Sequence, residues 1–278
     1  MPELPEVETI VRTLAPQVTG RRITAAASLL PKCLQAGSGL LPALVGARIR
    51  RIFRRAKLLL MEAECADGSS LLLAFHLKMT GRFFVHPAGT PPLKHTRVIF
   101  DLDDGGRLFF DDARTFGYCR VMLPQELSDW PFWQSLGPEP LDGAASDLAG
   151  HFAAAFDGRR AAVKALLLDQ TIVAGIGNIY ADESLFRAGI NPGRAAASLD
   201  SGELERLAVA LRDILTLSIK ECGSSIRDYR DARGNAGAFQ NSFAVYGRKG
   251  EHCASCGSAL GSCRIAGRAT VFCPKCQK

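Results

Sequence analysis

The sequence predicts an α+β protein: an antiparallel β-sandwich or barrel introduced by one amphipathic helix, a helical region, and a small ribbon held by metal. Three observations carry this expectation. Near the start, Val7, Ile10, Val11 and Leu14 recur at i, i+3, i+4 and i+7, one face of a helix. Residues 20–125 then break into short apolar runs separated by turn residues, the pattern of an antiparallel sandwich or barrel. Near the far end stands Cys253-x2-Cys256-x16-Cys273-x2-Cys276, the spacing of a four-thiolate zinc site.

The elements follow in order. "MPELPEVETIVRTLAPQ" places proline near a helix start, where a missing N–H costs nothing, and acids in the first turns, where they suit the helix dipole. Strands are expected in "KLLLMEAE", "SSLLLAFHLKMTGRFFV", "TRVIFDL", "RLFFDD" and "GYCRVML", with a turn at Asp104-Gly105-Gly106. The proline-bearing stretch 124–143 reads as a linker between a domain over 2–123 and a helical domain over 144–224. Helical periods run through "ASDLAGHFAAAF", "RRAAVKALLLDQ" and "NIYADESLFRAG", the last stopped by Gly189. A longer helix begins with a capping box at Asp200 and Glu203 and stops at Gly223. A polar, glycine-rich connection over 225–246 leads to the ribbon, 247–278.

Charge is unevenly distributed over the 278 residues. Lys and Arg balance Asp and Glu up to residue 219, whereas residues 220–278 hold ten cations against four anions, the whole net +6. A basic tail of this kind suggests a polyanionic partner, nucleic acid first. A second cluster, Arg48, Arg50, Arg51, Arg54, Arg55 and Lys57, fits a solvated strand face and phosphate binding equally well. Nine cysteines, five of them without paired spacing, argue against a secreted disulfide framework. The ribbon has almost no apolar core, so one structural Zn²⁺ is expected to supply its folding energy. No apolar run is long enough to cross a bilayer and the N-terminus is not a signal peptide, so the expected location is the cytosol. Gly175 and Gly177 feed directly into a helix near Asn178; such a turn suits a phosphate, and equally a tight packing turn.

Together "MPELPEVET", "RRAK", "HLKMTG", "ARTFG", "GIGNIYADE", "SSIRDY", "VYGRKG" and the four cysteines resemble the formamidopyrimidine-DNA glycosylase family along essentially the whole chain. The resemblance implies an N-terminal β-sandwich, a helical domain with a helix–two-turn–helix, a lesion-capping loop within 225–246 and a zinc ribbon. It implies a bacterial base-excision enzyme, a DNA glycosylase and abasic-site lyase acting as a monomer in the cytosol. Its partner would be double-stranded DNA containing oxidised purines such as 8-oxoguanine and formamidopyrimidines, or abasic sites.

The resemblance also gives the opening proline a chemical role. Removal of Met1 would leave Pro2 with a secondary α-amine, whose pKa of roughly 8 keeps a useful fraction unprotonated, unlike a lysine near 10.4. Pro2 would attack C1′ of the damaged nucleotide, Glu3 would protonate the sugar ring oxygen, and Glu6 would support them. Lys57 matches the family's catalytic-site lysine beside the lesion phosphate. His76, His95, Asn178 and Arg268 are the DNA-binding candidates. Met79, Arg114 and Phe116 match the wedge that fills the gap left by a flipped nucleotide. Cys253, Cys256, Cys273 and Cys276 are the metal ligands, with Cys263 free between them.

Four positions depart from the family pattern. Lys78 stands where "HLGMTG" has a small residue, Ala113 and Thr115 replace a proline and an arginine of "DPRRFG", and Cys222 takes the place of a glycine. These bear on loop behaviour and lesion preference rather than on the class of chemistry. The alternatives are an endonuclease VIII-type glycosylase of oxidised pyrimidines, disfavoured by Leu4 and the Met79/Arg114/Phe116 pattern, and a non-catalytic zinc-ribbon DNA-binding protein, disfavoured by Pro2, Glu3 and Lys57.

Overall fold

The computed structural model describes residues 1–36, 38–226 and 228–278; Gly37 and Arg227, the latter within "SSIRDY", lie outside the described residues. Helix α1 spans Leu4–Val18 and buries Val7, Ile10, Val11 and Leu14, the stripe that its period predicts. Ten strands and helices follow within the first unit. They are β1 (Ile23–Ser28), β2 (Leu34–Ala36), β3 (Arg48–Arg55), β4 (Leu58–Glu64), β5 (Ser70–His76), β6 (Gly81–His86), β7 (Thr96–Leu102), β8 (Arg107–Asp112), β9 (Tyr118–Met122) and the short α2 (Pro131–Gln134).

Two sheets result, ordered β1-β7-β8-β6 and β2-β9-β5-β4-β3. Their facing side chains build one core: Leu59 and Met61 of β4 and Leu73 and Phe75 of β5 meet Val98 and Phe100 of β7 and Phe110 of β8, with Phe83 of β6 4.9 Å edge-on to Phe75. The continuous apolar run of "KLLLMEAE" is explained by its second face. Leu58 and Leu60 point the other way and pack with Leu72, Ala74, Tyr118, Met122 and Trp130. The segment after β9 therefore covers the outer face of the five-stranded sheet.

Three expectations change here. The sandwich is antiparallel except at β2–β9, which pair in parallel; β2 is reached through a short 3₁₀ turn (Pro31–Cys33) and not a hairpin, so no tight turn reverses it. Strands β1, β2 and β3 escaped the apolar-run criterion because β1 is small-residue and mostly exposed, and β3 alternates with arginine. The stretch 124–143 is divided, since Trp130 anchors residues up to Gln134 on the first unit.

The chain forms two units, Met1–Gln134 with Glu221–Ala238, and Ser135–Lys220 with Phe239–Lys278. The second contains α3 (Ala145–Phe156), α4 (Val163–Leu168), α5 (Asn178–Ala188), α6 (Ser201–Lys220) and the hairpin β10 (Gly261–Ile265) and β11 (Arg268–Phe272). "RRAAVKALLLDQ" yields only the six residues of α4. Ala162 is extended and bridges Ala195, and Val163 N–H donates to Arg194, so the preceding residues serve a strand-like contact. Helix α6 has its predicted capping box: Glu203 N–H donates to Asp200 Oδ1 at 2.8 Å, and Asp200 N–H to Glu203 Oε2 at 3.0 Å. No described helix is long and apolar enough to cross a membrane.

Candidate active site

At the start of α1, Pro2 and Glu3 are buried beside an exposed Met1. Glu6 organises this corner. Its Oε2 accepts the Glu3 N–H at 2.9 Å and its Oε1 accepts the Ser224 N–H at 2.8 Å, while Tyr229 Oη donates to the Glu6 carbonyl at 3.3 Å. The segment over 221–238 thus docks on α1, and Ala232 N–H adds a bond to Thr13 Oγ1 at 3.1 Å. Cys222 and Gly223 are both left-handed, at φ 60° and 80°. A Cβ at Gly223 would sit 3.1 Å from the Glu6 side chain, so that position has little room for another residue.

Lys57 lies in the two-residue turn between β3 and β4, where Ala56 is left-handed. Arg54 ties this turn to α1: Nε donates to Glu8 Oε2 at 3.1 Å and a terminal nitrogen donates to the Ala56 carbonyl at 3.1 Å. Pairing of Leu58 with His76 brings the histidine to the same end of the sheet. His76 is buried, and its Nδ1 accepts the Lys78 N–H at 3.0 Å, so its ring proton sits on Nε2. Burial first, then the charges of Lys78 and Lys57, push its pKa down to about 3. It is a neutral donor throughout the physiological range. Two more arginines of the basic run meet carboxylates, Arg50 with Glu64 and Arg51 with Glu62, which favours the strand-face reading for those two.

Met79, Arg114 and Phe116, 35 residues apart in sequence at the first step, meet on two adjacent loops. Arg114 donates to Met79 Sδ at 2.9 Å and lies 4.8 Å from the Phe116 ring centre. Met79 is 43% exposed and Phe116 53%, unlike the core aromatics below them. Large apolar groups held this far into solvent are available to a ligand. His95 is half-buried next door, with Arg97 3.5 Å from its Nδ1.

In the second unit the glycine turn is fixed by Gln170, whose Oε1 accepts Gly175 N–H at 2.9 Å while its Nε2 donates to the Ile176 carbonyl at 2.8 Å. Asn178 opens α5 and donates from Nδ2 to the Ala269 carbonyl at 3.0 Å. Its Oδ1 is buried with no partner among the described residues. Arg268, exposed, immediately follows the left-handed turn Ala266-Gly267 that closes the β10–β11 hairpin. Asn178 lines a cavity of about 500 Å³ together with Lys249, Arg264 and Ala269, the last being the neighbour of Arg268 in the hairpin.

The four predicted ligand thiols converge, all Sγ atoms lying within 4.8 Å of one another. Cys253 and Cys276 are 3.9 Å apart and Cys256 and Cys273 3.4 Å. Tetrahedral zinc, with bonds of about 2.3 Å, separates its sulfurs by roughly 3.8 Å, so the set fits. Cys263 is exposed on β10, outside the cluster.

Two devices were not foreseen. Lys164 and Asp182, both fully buried, form a 2.7 Å ion pair, and Lys164 also donates to Thr270 Oγ1 at 2.7 Å. Burial raises the Asp182 pKa to about 6 despite that partner. Glu183 accepts three consecutive N–H groups, from Ala244, Val245 and Tyr246 at 2.9, 3.0 and 2.7 Å. The available signal was a lone lysine in an apolar helix and adjacent acids in "NIYADE" on a helix with almost no exposed face.

Residues 1–119 match the formamidopyrimidine-DNA glycosylase N-terminal domain, and residues 136–230 match its H2TH domain. The formamidopyrimidine-DNA glycosylase of Nitratidesulfovibrio vulgaris is 59% identical over 216 residues, which span 78% of this chain and 58% of that protein. That of Desulfitobacterium hafniense is 44% identical over the whole of both chains. Among solved structures, Lactococcus lactis Fpg in complex with abasic-site DNA has a TM-score of 0.89 at 34% identity over 99% of each chain. A variant of that protein with Fapy-dG-containing DNA has a TM-score of 0.91 over the whole of both. Full-length identity well above what a shared fold alone requires leads to one conclusion: this chain belongs to the formamidopyrimidine-DNA glycosylase family.

Proposed function

We propose that the chain is a bifunctional DNA glycosylase and abasic-site lyase of base-excision repair, removing 8-oxoguanine and formamidopyrimidines from double-stranded DNA. The observation that carries this reading is the first unit's combination of Pro2 and Glu3 at the head of α1 with the exposed Met79–Arg114–Phe116 group. One set suits chemistry at a sugar carbon, the other suits an unstacked duplex.

With Met1 removed, the Pro2 nitrogen lone pair forms a bond to C1′ and the C1′–N bond to the damaged base breaks, the base taking up the proton that the amine loses. Glu3 donates a proton to the ring oxygen, O4′, as the sugar opens. The product is an iminium ion, which draws electrons from C2′ and acidifies its proton. Loss of that proton expels the 3′-phosphate, and a second elimination expels the 5′-phosphate. Lys57 and the neutral Nε2–H of His76 hold phosphate oxygens near the lesion, and His95 supports the same strand. In the second unit Asn178 and Arg268 hold further phosphates. Met79 fills the vacated space, Phe116 stacks on the neighbouring pair, and Arg114 faces the opposite base.

One structural zinc, bound by Cys253, Cys256, Cys273 and Cys276, supplies folding energy to the hairpin that presents Arg268. The thiols it needs are kept reduced in the bacterial cytosol, where the enzyme acts as a monomer on the nucleoid.

Borohydride trapping tests the reading. Reduction of the iminium should leave protein covalently attached to 8-oxoguanine DNA, and intact mass of the free protein should lack Met1. Pro2→Gly should retain lesion binding while base release and strand cleavage fall greatly. Glu3→Gln should slow base excision by about 10²–10⁴-fold, the usual worth of a positioned general acid. Normal cleavage by protein that retains Met1 would eliminate the proline mechanism.

A further inference from the structure

We infer that Asp112 is the positioning residue of the wedge, a single buried carboxylate that knits the Met79 loop to the Arg114–Phe116 loop. This rests on the functional reading above. Asp112 ends β8 and is only 1% exposed. Its Oδ1 accepts the Thr80 hydroxyl from the first loop and the Arg114 N–H, at 3.2 Å, from the second. Thr80 Oγ1 in turn accepts the same Arg114 N–H at 3.1 Å. Its Oδ2 accepts the Gly117 N–H at 2.7 Å, one residue beyond Phe116. The backbone of Asp112 completes the hub, donating to the His95 carbonyl and accepting from Arg97 Nε, each at 2.8 Å.

The need for such a hub is visible in the backbone. Lys78 and Thr115, two of the positions that depart from the family pattern, are left-handed at φ 50° and 57°, and each adjoins a wedge residue. A residue with a Cβ holds that conformation only where its surroundings over-determine it. Gly81 and Gly117 close the loops onto the hub: a Cβ at Gly81 would sit 2.6 Å from the Leu77 carbonyl oxygen, and one at Gly117 3.0 Å from Asp112 Oδ2. The Arg114 side chain is exposed and leans on Met79 and Phe116, which are themselves exposed. Its backbone is fixed by Asp112 and Thr80.

Charge and geometry make the carboxylate specific. Asparagine would keep an acceptor for Thr80 and Arg114 but would turn an NH₂ group toward the Gly117 N–H, donor against donor. Valine at 80 is nearly isosteric with threonine and removes only the hydroxyl link. Serine retains it.

The experiment compares single-turnover excision of 8-oxoguanine opposite cytosine and opposite adenine, with cleavage of single-stranded abasic DNA as the reference lacking an opposite base. Arg114→Ala calibrates the full loss of opposite-base discrimination. Asp112→Asn and Thr80→Val should each lower the cytosine-to-adenine ratio by about fivefold or more, the scale of one good base contact. Single-stranded cleavage should stay within about twofold, and Thr80→Ser should restore the ratio. If Asp112→Asn does not fold, Thr80→Val decides alone. An altered ratio in Arg114→Ala with no change in the folded Asp112→Asn and Thr80→Val variants overturns the role of Asp112 and leaves the wedge standing. Equal losses on duplex and single-stranded substrates reduce Asp112 to a stabiliser of the fold, and an unchanged ratio in Arg114→Ala removes the wedge and its hub together.

Discussion

The wedge loops of the first unit and the ribbon hairpin of the second both hold exposed arginines, and they do so by different physics. Arg114 stands on loops that close the end of a sandwich with 29 buried residues in its principal core. There the apolar burial is already sufficient, and polar bonds to Asp112 only choose the loop conformation. Arg268 stands on a two-stranded hairpin whose cluster contains Val245, Leu260 and Val271 plus two of the ligand cysteines. So small a cluster cannot offset the entropy of ordering the ribbon. In the proposed zinc-bound form, the four thiolates supply what packing supplies elsewhere. The lesson is that a cation's reliability depends on what lies beneath it, and the two regions should fail under different insults.

The largest difference is expected from metal removal. Structural zinc contributes about 10–16 kcal/mol in isolated ribbons, so a strong chelator, or Cys256→Ser, should unfold the ribbon and abolish DNA binding while the sandwich keeps its near-ultraviolet dichroism. Cys263→Ser should retain one zinc per chain by metal analysis. Loss of metal in that variant would mean that the ligands have been misassigned, and simultaneous melting of the sandwich would erase the contrast between the regions.

A smaller break should come from Lys164→Met, which leaves the buried Asp182 carboxylate without its counter-ion. Removing one partner of a buried pair costs about 3–5 kcal/mol, to be read from denaturant midpoints of the second unit. Lys164→Met with Asp182→Leu should recover most of that loss, because no charge is left unpaired. A double variant as unstable as the single would show that Lys164 acts through its bonds to Thr270 Oγ1 and to the Ala269 carbonyl, which it reaches at 3.3 Å, not through its counter-ion.

The least change is expected at His76. Its pKa lies near 3 in the folded protein against an ordinary 6.5, so the folded state excludes a proton that the unfolded state accepts. The contribution of His76 is complete above pH 6.5 and is lost progressively as pH falls towards 3. Ring nitrogen shifts of the free protein should therefore be flat from pH 5 to 8, with the proton on Nε2. A midpoint near 6.5 in that titration would contradict the buried geometry and make the phosphate donor an imidazolium.

What was legible in the amino-acid order is whatever short-range chemistry decides. The stripe of α1, the capping box of Asp200 and Glu203, the glycine turn before Asn178 and the cysteine spacing each depend on residues a few positions apart. The family motifs extended this to candidate residues scattered along the chain, and the fold brings Met79, Arg114 and Phe116 together and Asn178 beside the hairpin of Arg268. Strands β1 and β3 stayed hidden because their burial comes from partners distant in sequence, not from their own composition. The same is true of the parallel β2–β9 pair.

Sequence alone determined the family motifs and the thiol set and named the residues proposed for the chemistry, because backbone preference and ligand spacing act locally. Only the tertiary structure decided that Asp112 serves two loops and that Lys164 finds Asp182. It likewise placed the Glu183 carboxylate under three N–H groups and joined Glu6 to both Glu3 and Ser224. A buried charge has no signature in sequence beyond its own presence; its role is set by the desolvation it suffers and by donors that approach from elsewhere in the chain.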